Sequence, residues 1–516
     1  MMGLPRAVAA LPVVLFVLKP LPVQGEAPPL PRVHEELPAT ANTLVAPLAQ
    51  NSPMLVADPR DSRLVVLANR VDAPTFGCAL QVSGDGGRHW VPANPVPKLP
   101  AGADTCYAPE VAFDAEGVLY YLFVGLAGEG NEPMGVFIAT SADHGRNFGT
   151  PKKVLGPRNF MVRMAIDQSS GRLHLVWLHA TGDPGTGSLP PPPNPILAAH
   201  SDDGGRTFNK PVQVSDASRK LVVAPAVALG PDRALHVLYY DLGEDLVDYH
   251  GLEGPTWDGK WSLVVANSRD GGRRFSRGTV VDDGVVPPER VMLIFTMPPP
   301  ALVADQSGRL FAAWHDARNG DWDVFMRSSG DVGRSWSRPR RLNDDGLGSG
   351  RHQYQPRLST SSNGRVDAVF YDRRNDARNV ANDVYLTSSS DEGRTFGPNV
   401  KVTTKSSNSL FGQRYLGAAA TGMVEFGARL GLLSREGEAV AAWTDTRNGY
   451  APPYQDIFTA AVELKRPSKD DFAIGAPQFA GAVVLAGIGW LGYRRWRRRP
   501  APITASERGR AGDAIV

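Results

Sequence analysis

Three arginines, Arg163, Arg357 and Arg414, stand at comparable places in runs that repeat along the chain, each near the opening of a short apolar strand. Tyr107, Glu110, Tyr354 and Tyr415 hold the same kind of position. Guanidinium groups brought together from separate segments can grip a carboxylate through paired N–H donors, and that is the chemistry this set suggests. Met54, Ala226 and Ala301 fill the equivalent places elsewhere, so the set is uneven. The other reading is that these charges satisfy one another inside a polar channel, as buried charges must.

A second constellation recurs as WHDARNGDWDVF (314–325), FYDRRNDARNVANDVY (370–385) and WTDTRNGYAPPYQDIF (443–458), with a reduced YYDLGED at 239–245. In it Asp316, Asp372 and Asp445 precede Arg318, Arg373 or Arg374, and Arg447 by one or two residues. Such pairs can knit neighbouring loops; the same aspartates, with Asp321, Asp323 or Asp383, could instead bind calcium through oxygen ligands. No spacing requires a cofactor or a metal. The chain has no Gly-rich phosphate loop, no Cys or His cluster at metal spacing and no nucleophile elbow, and its ten histidines are scattered.

The elements that must position these residues are set by a repeat. SGDGGRHW, SADHGRNF, SDDGGRTF, SRDGGRRF, SGDVGRSW and SSDEGRTF share the pattern Ser-x-Asp-x-Gly-x-x-aromatic, with Asp85, Asp143, Asp203, Asp270, Asp331 and Asp391 spaced by 58, 60, 67, 61 and 60 residues. A period of that length means repeated supersecondary units. Each box reads as a structural turn: Ser and Asp bond the backbone, Gly takes a positive φ and the aromatic plugs the core of its unit. Around each box lie four short β runs, as in a propeller blade; in the second unit they are PEVAFD, VLYYLFVG, GVFIATS and PKKVLG.

A seventh stretch lacks a box but repeats RYLGAAATG (414–422), EAVAAWTD (438–445) and DIFTAAVEL (456–464), and the segment 43–49 is a candidate for its missing fourth strand. The fold expected is all-β, a single β-propeller of four-stranded blades over residues 26–465. Seven blades are preferred, with six as the alternative. Cys78, at the start of a third strand, and Cys106, before the next innermost strand, are expected to form a disulfide between the first and second blades.

In its boxes the chain resembles the sialidase superfamily, the BNR or Asp-box repeat proteins, whose enzymes usually have six blades. The resemblance implies an exo-glycosidase acting on terminal acidic sugars. Arg163, Arg357 and Arg414 would then clamp the sugar carboxylate, with Tyr107 and Tyr354 beside them. Tyr415 with Glu110 or Glu425 would form the nucleophile pair, and Asp316 or Asp372 would serve as the acid. The family's Phe/Tyr-Arg-Ile-Pro motif is missing here, and Arg70 in VLANRVD is its nearest substitute by position only. Because Asp boxes also occur in receptors, a non-catalytic propeller that binds glycans or proteins is the alternative.

The ends suggest where the chain works. Residues 1–25 read as a secretory signal, 466–471 as a linker, and 472–493 as one transmembrane helix of about 33 Å at the helical rise. Arginines 494, 495 and 497–499 open a basic tail, 494–516, expected on the cytoplasmic side. The tail carries net +5 and the signal +2, which leaves −5 for the intervening segment out of the chain's formal +2. A nucleic-acid partner is therefore not expected. The expectation is a monomeric extracellular domain anchored in the cell membrane and bound to a glycan or glycoprotein.

Overall fold

The computed structural model describes residues 31–39, 48–93, 97–182, 191–246, 257–287, 299–412, 426–448 and 455–464. The expected signal segment, linker, membrane helix and basic tail lie outside them. The chain divides into units Met1–Leu464 and Lys465–Val516. Among the described residues no helix is long and apolar enough to cross a membrane.

Unit 1 is a seven-bladed propeller. Blades 1 to 6 occupy 50–92, 105–155, 159–213, 222–285, 301–341 and 353–401, each a four-stranded antiparallel meander in chain order. Blade 7 is built from Gly431–Arg435, Glu438–Asp445 and Asp456–Glu463, and its outer edge is covered by two N-terminal pieces, Arg32–Val33 and Leu37–Pro38. Their register is set by Arg32 opposite Glu463 and Leu37 opposite Thr459.

Two expectations are corrected here. The closing strand lies at 32–38, not 43–49; of the latter, only the last residues are described, and Ala49 makes a single parallel bridge to Gln455. The innermost strand of blade 7 is Gly431–Arg435, not 414–422, because Gly437 at φ 86° turns the chain directly from Arg435 into Glu438.

The second strand of each blade reads as a near-continuous apolar run because both its faces are covered by neighbouring blades. Leu310–Asp316 and Val366–Asp372 are buried at every position. The apolar core is accordingly a ring of seams between blades. Val66, Leu80 and Tyr121 join blades 1 and 2, Val369, Tyr371 and Trp443 join 6 and 7, and Val65, Leu67 and Val440 join 7 and 1.

The boxes belong to this ring of seams. In each, the Ser hydroxyl donates to the Asp carboxylate and accepts the N–H of the Gly two residues after the Asp, while the carboxylate accepts backbone N–H groups at its own turn; Ser141, Asp143, Gly145 and Asn147 are one example. That Gly faces the preceding blade. A Cβ on Gly87 would lie 3.2 Å from Val440 of blade 7, one on Gly333 3.3 Å from Val265 of blade 4, and one on Gly393 2.9 Å from Phe311 of blade 5. The box aromatics follow: Trp90 lies in the blade 7–1 seam and donates its indole N–H to Thr459 of blade 7 at 2.9 Å. A box thus stops a seam between two blades, where the sequence suggested a plug within one. The disulfide Cys78–Cys106 adds a covalent link between blades 1 and 2, as expected.

Ring closure depends on a carboxylate from the N-terminal segment. Arg318 of blade 5 bonds Asp282 of blade 4, and Arg374 of blade 6 bonds Asp344, which follows the outer strand of blade 5. In blade 6 the residue matching Asp344 is Thr404, which has no charge. Glu36 supplies it, accepting the Thr404 N–H and hydroxyl at 2.5 and 2.6 Å and an ion pair from Arg447 of blade 7. Glu36→Gln is expected to cost about 1–3 kcal/mol, with Arg447 still held by Asp445. An unchanged urea midpoint would remove Glu36 from the closure.

Acid should loosen the seams. The Asn147 side chain and backbone hold Asp143 down to about 2, and Ser335 with Ser329 holds Asp331 near the same value although burial opposes them. A carboxyl depressed on folding stabilises above its unfolded value of about 3.9 and loses that contribution as pH falls through its folded value. Thermal midpoints should therefore be flat above pH ~5 and fall between pH ~4 and ~2, less steeply in Asp143→Asn/Asp331→Asn. Equal slopes for variant and wild type would contradict this.

Candidate functional site

A repeated backbone device aims residues at the axis. In five blades the innermost strand carries a bulge with a non-glycine residue in the left-handed region: Ser52 (φ 56°), Ala108 (50°), Met161 (50°), Ala224 (53°) and Gln355 (53°). Two residues on come Met54, Glu110, Arg163, Ala226 and Arg357. A bulge re-aims the side chains that follow it, and its recurrence puts these five at one level of the ring.

Glu110 and Arg163 meet there. Arg163 NH1 donates to Glu110 Oε1 at 3.0 Å, and the Met164 N–H donates to Oε2 at 3.0 Å. Arg429, a residue the sequence reading missed, donates from NH1 to the same Oε1 at 2.5 Å, from NH2 to the Pro109 carbonyl at 2.6 Å and from Nε to the Ser52 carbonyl at 3.3 Å. It precedes Gly431, so no strand pattern marked it. A spacing could have done so: Glu110, Arg357 and Arg429 each lie nine residues before the first residue of a second strand, Leu119, Val366 and Glu438.

Arg357 lies in the field of Glu110 and Arg163 but makes no hydrogen bond to another described residue. Three guanidinium groups thus face one carboxylate. Burial would raise the Glu110 carboxyl, yet Arg163 and Arg429 more than offset it and hold the group below its ordinary value. Burial pushes Arg429 down to about 10, with Arg163 and Arg357 adding to the shift, and burial likewise lowers Arg357. The cluster therefore carries excess positive charge with little water to screen it, which favours an anion.

The tyrosines are engaged elsewhere. Tyr107 accepts from Arg70 NH1 at 2.8 Å with the guanidinium 4.8 Å above its ring, and Arg70 pairs with Asp72 at 2.6 Å. Tyr354 donates to Asn382 at 2.7 Å and accepts from Arg373 at 3.3 Å. Although three residues from Arg357, it precedes the bulge and sits in the blade 6–7 core. Arg414, Tyr415 and Glu425 lie outside the described residues.

Asp316 and Asp372 are buried and bound. Asp316 accepts from the Trp314 indole at 2.8 Å and from Arg318 Nε at 2.9 Å; Asp372 accepts from the Arg374 N–H at 2.7 Å and Nε at 2.8 Å. Burial raises both carboxyls, and their arginines oppose it. Each arginine also covers an aromatic ring, Arg318 over Phe325, Arg374 over Tyr385 and Arg447 over Phe458, within 4.5 Å. Asp323 and Asp383 are taken up by Arg341, Asn343, Lys401 and Thr403. Among the described residues no three His, Cys, Asp or Glu side chains are grouped to hold a metal ion.

Residues 196–418 match the BNR repeat-like domain family. No curated protein matches the chain. Among solved structures, a protein of unknown function from Dyadobacter fermentans is 13% identical over 84% of this chain and 99% of its own, with a TM-score of 0.45. The Hadza microbial sialidase Hz136 is 14% identical over 79% and 75%, with a TM-score of 0.41. The α-L-arabinofuranosidase Arb93A of Fusarium graminearum is 12% identical over 66% and 93%, with a TM-score of 0.45. The described residues thus form a seven-bladed β-propeller with six Asp boxes, and its middle blades match the BNR repeat-like domain.

Proposed function

We propose that this propeller recognises terminal acidic sugars on glycans, taking the sugar carboxylate at the axial arginines. The observation that carries the reading is Arg357, a guanidinium left without a hydrogen-bond partner among the described residues, beside two others that share one glutamate. A carboxylate from a ligand would complete it with paired, charge-assisted bonds. Recognition is favoured over hydrolysis because Glu110 is locked by two arginines and Asp316 and Asp372 are each bound to their own. In this reading the helix at 472–493 anchors the propeller at the cell membrane with its blades outside.

The direct check is binding of a methyl sialoside to the full chain by calorimetry, together with a fluorogenic sialoside to detect release. Binding without release is expected, and Arg357→Ala should weaken it about 10- to 100-fold. Absence of binding by the wild type, or equal binding by the variant, defeats the proposal. Rapid release would restore the hydrolase.

Glu110→Gln keeps the shape and removes the charge. It should bind the sialoside more tightly and unfold more easily, by about 3–5 kcal/mol, since two buried guanidiniums lose their counter-ion. A variant with weaker affinity would instead place Glu110 among the groups that bind the sugar.

A further inference from the structure

On the face that bears the starts of the innermost strands, a cleft of about 400 Å³ opens between the loops of blades 4 and 5. Its walls include Trp257 and Asp258 from the loop joining the second and third strands of blade 4, Pro287 just after the outer strand of blade 4, Gly320 and Trp322 of the matching blade 5 loop, and His352 at the entry to blade 6. The volume suits a small organic ligand. No lysine or arginine lines it among the described residues, so its character is opposite to that of the axis.

The cleft is built around one indole. Trp257 rests one side of its ring on the backbone: a Cβ on Gly259 would fall 2.3 Å from the indole carbons, and one on Gly243 3.7 Å away. Trp257 also packs against the core shared by blades 3 to 5, which fixes its plane. Opposite it, Trp322 and His352 stack at 4.4 Å and 15°. Burial pushes His352 down to about 4 and its Nδ1 accepts the Trp322 N–H at 3.3 Å, so the ring is neutral near pH 7. Gly320, at φ 94°, has open space where a side chain would be. Asp258 is exposed and makes no hydrogen bond to another described residue.

We infer that this cleft is a subsite for a neutral pyranose residue, whose apolar C–H face stacks on Trp257 while its hydroxyls donate to Asp258. An indole held flat by glycine backbone offers a rigid apolar platform, and a free carboxylate accepts hydroxyl protons in charge-assisted bonds. An acidic sugar is disfavoured beside Asp258, since among the described residues no lysine or arginine lines the cleft. The inference extends the acidic-sugar reading by giving the same face a second, uncharged sugar position, yet it can be tested without an acid.

Lactose serves as the neutral probe and methyl sialoside as the acidic one, each titrated into the full chain with tryptophan fluorescence and calorimetry. Lactose should bind and quench, and Trp257→Ala should weaken it at least about tenfold while leaving the sialoside unchanged. Because Trp257→Ala could loosen blade 4, Gly259→Ala gives a second test: its methyl displaces the indole without removing any group that could touch sugar. Asp258→Asn should weaken lactose several-fold with an unchanged thermal midpoint. Loss of sialoside binding with lactose retained sinks the axial reading alone. No binding of lactose, equal binding by all three variants, or capture of choline in place of lactose overturns the subsite.

Discussion

The structure depends on the burial of each blade's second strand between two other blades. No blade can cover that strand alone, and a sheet left at the end of an incomplete row would expose an apolar face and an open edge. Closure therefore has to occur once, at a single place. The fold meets this by lending blade 7 its outer strand from the other end of the chain. Boxes, disulfide and Asp–Arg–aromatic stacks all lie on or beside the joints that this constraint creates.

The same constraint shapes the axis. Innermost strands converge, so side chains pointing inward from blades 2, 3, 6 and 7 meet whether or not they attract. Three guanidiniums gathered in this way repel one another and lose hydration, and one glutamate recovers only part of that cost. An arrangement of that kind is poor economy for stability alone. It is well suited to holding something negative, whereas the aromatic cleft on the same face is lined by Asp258 and, among the described residues, by no lysine or arginine.

Much of this was legible in the residues. Box spacing gave the repeat, alternating and continuous apolar runs gave the strands, and the two cysteines gave their bridge. Glu110, Arg163 and Arg357 could be aligned because each sits in a strand whose neighbours repeat. The closing strand was misplaced because it comprises two-residue pieces containing a proline, pinned by a side chain and too short for any periodicity. Arg429 escaped because it lies in a loop, and the apolar run at 414–422 looked more like an innermost strand than GLLSR. The direction of Tyr354 and the occupation of Asp316 and Asp372 depend on a bulge and on arginines from the same loops. The recurring Asp–Arg pairs marked those carboxylates as loop ties, whereas the bulge that turns Tyr354 away from Arg357 leaves no trace in a linear pattern.

Glu36 and Arg447 are 411 residues apart along the chain. Until the last blade has been synthesised, the segment carrying Glu36 has no edge to join, and blade 1 has no neighbour on one side. The early blades must therefore wait with a seam uncovered for most of translation, and the loop that closes them is nearly as long as the domain. The box and the disulfide between blades 1 and 2 lie where a partly made ring could first hold its shape. Completion is then a single late event, in which the oldest part of the chain becomes the last strand of the fold.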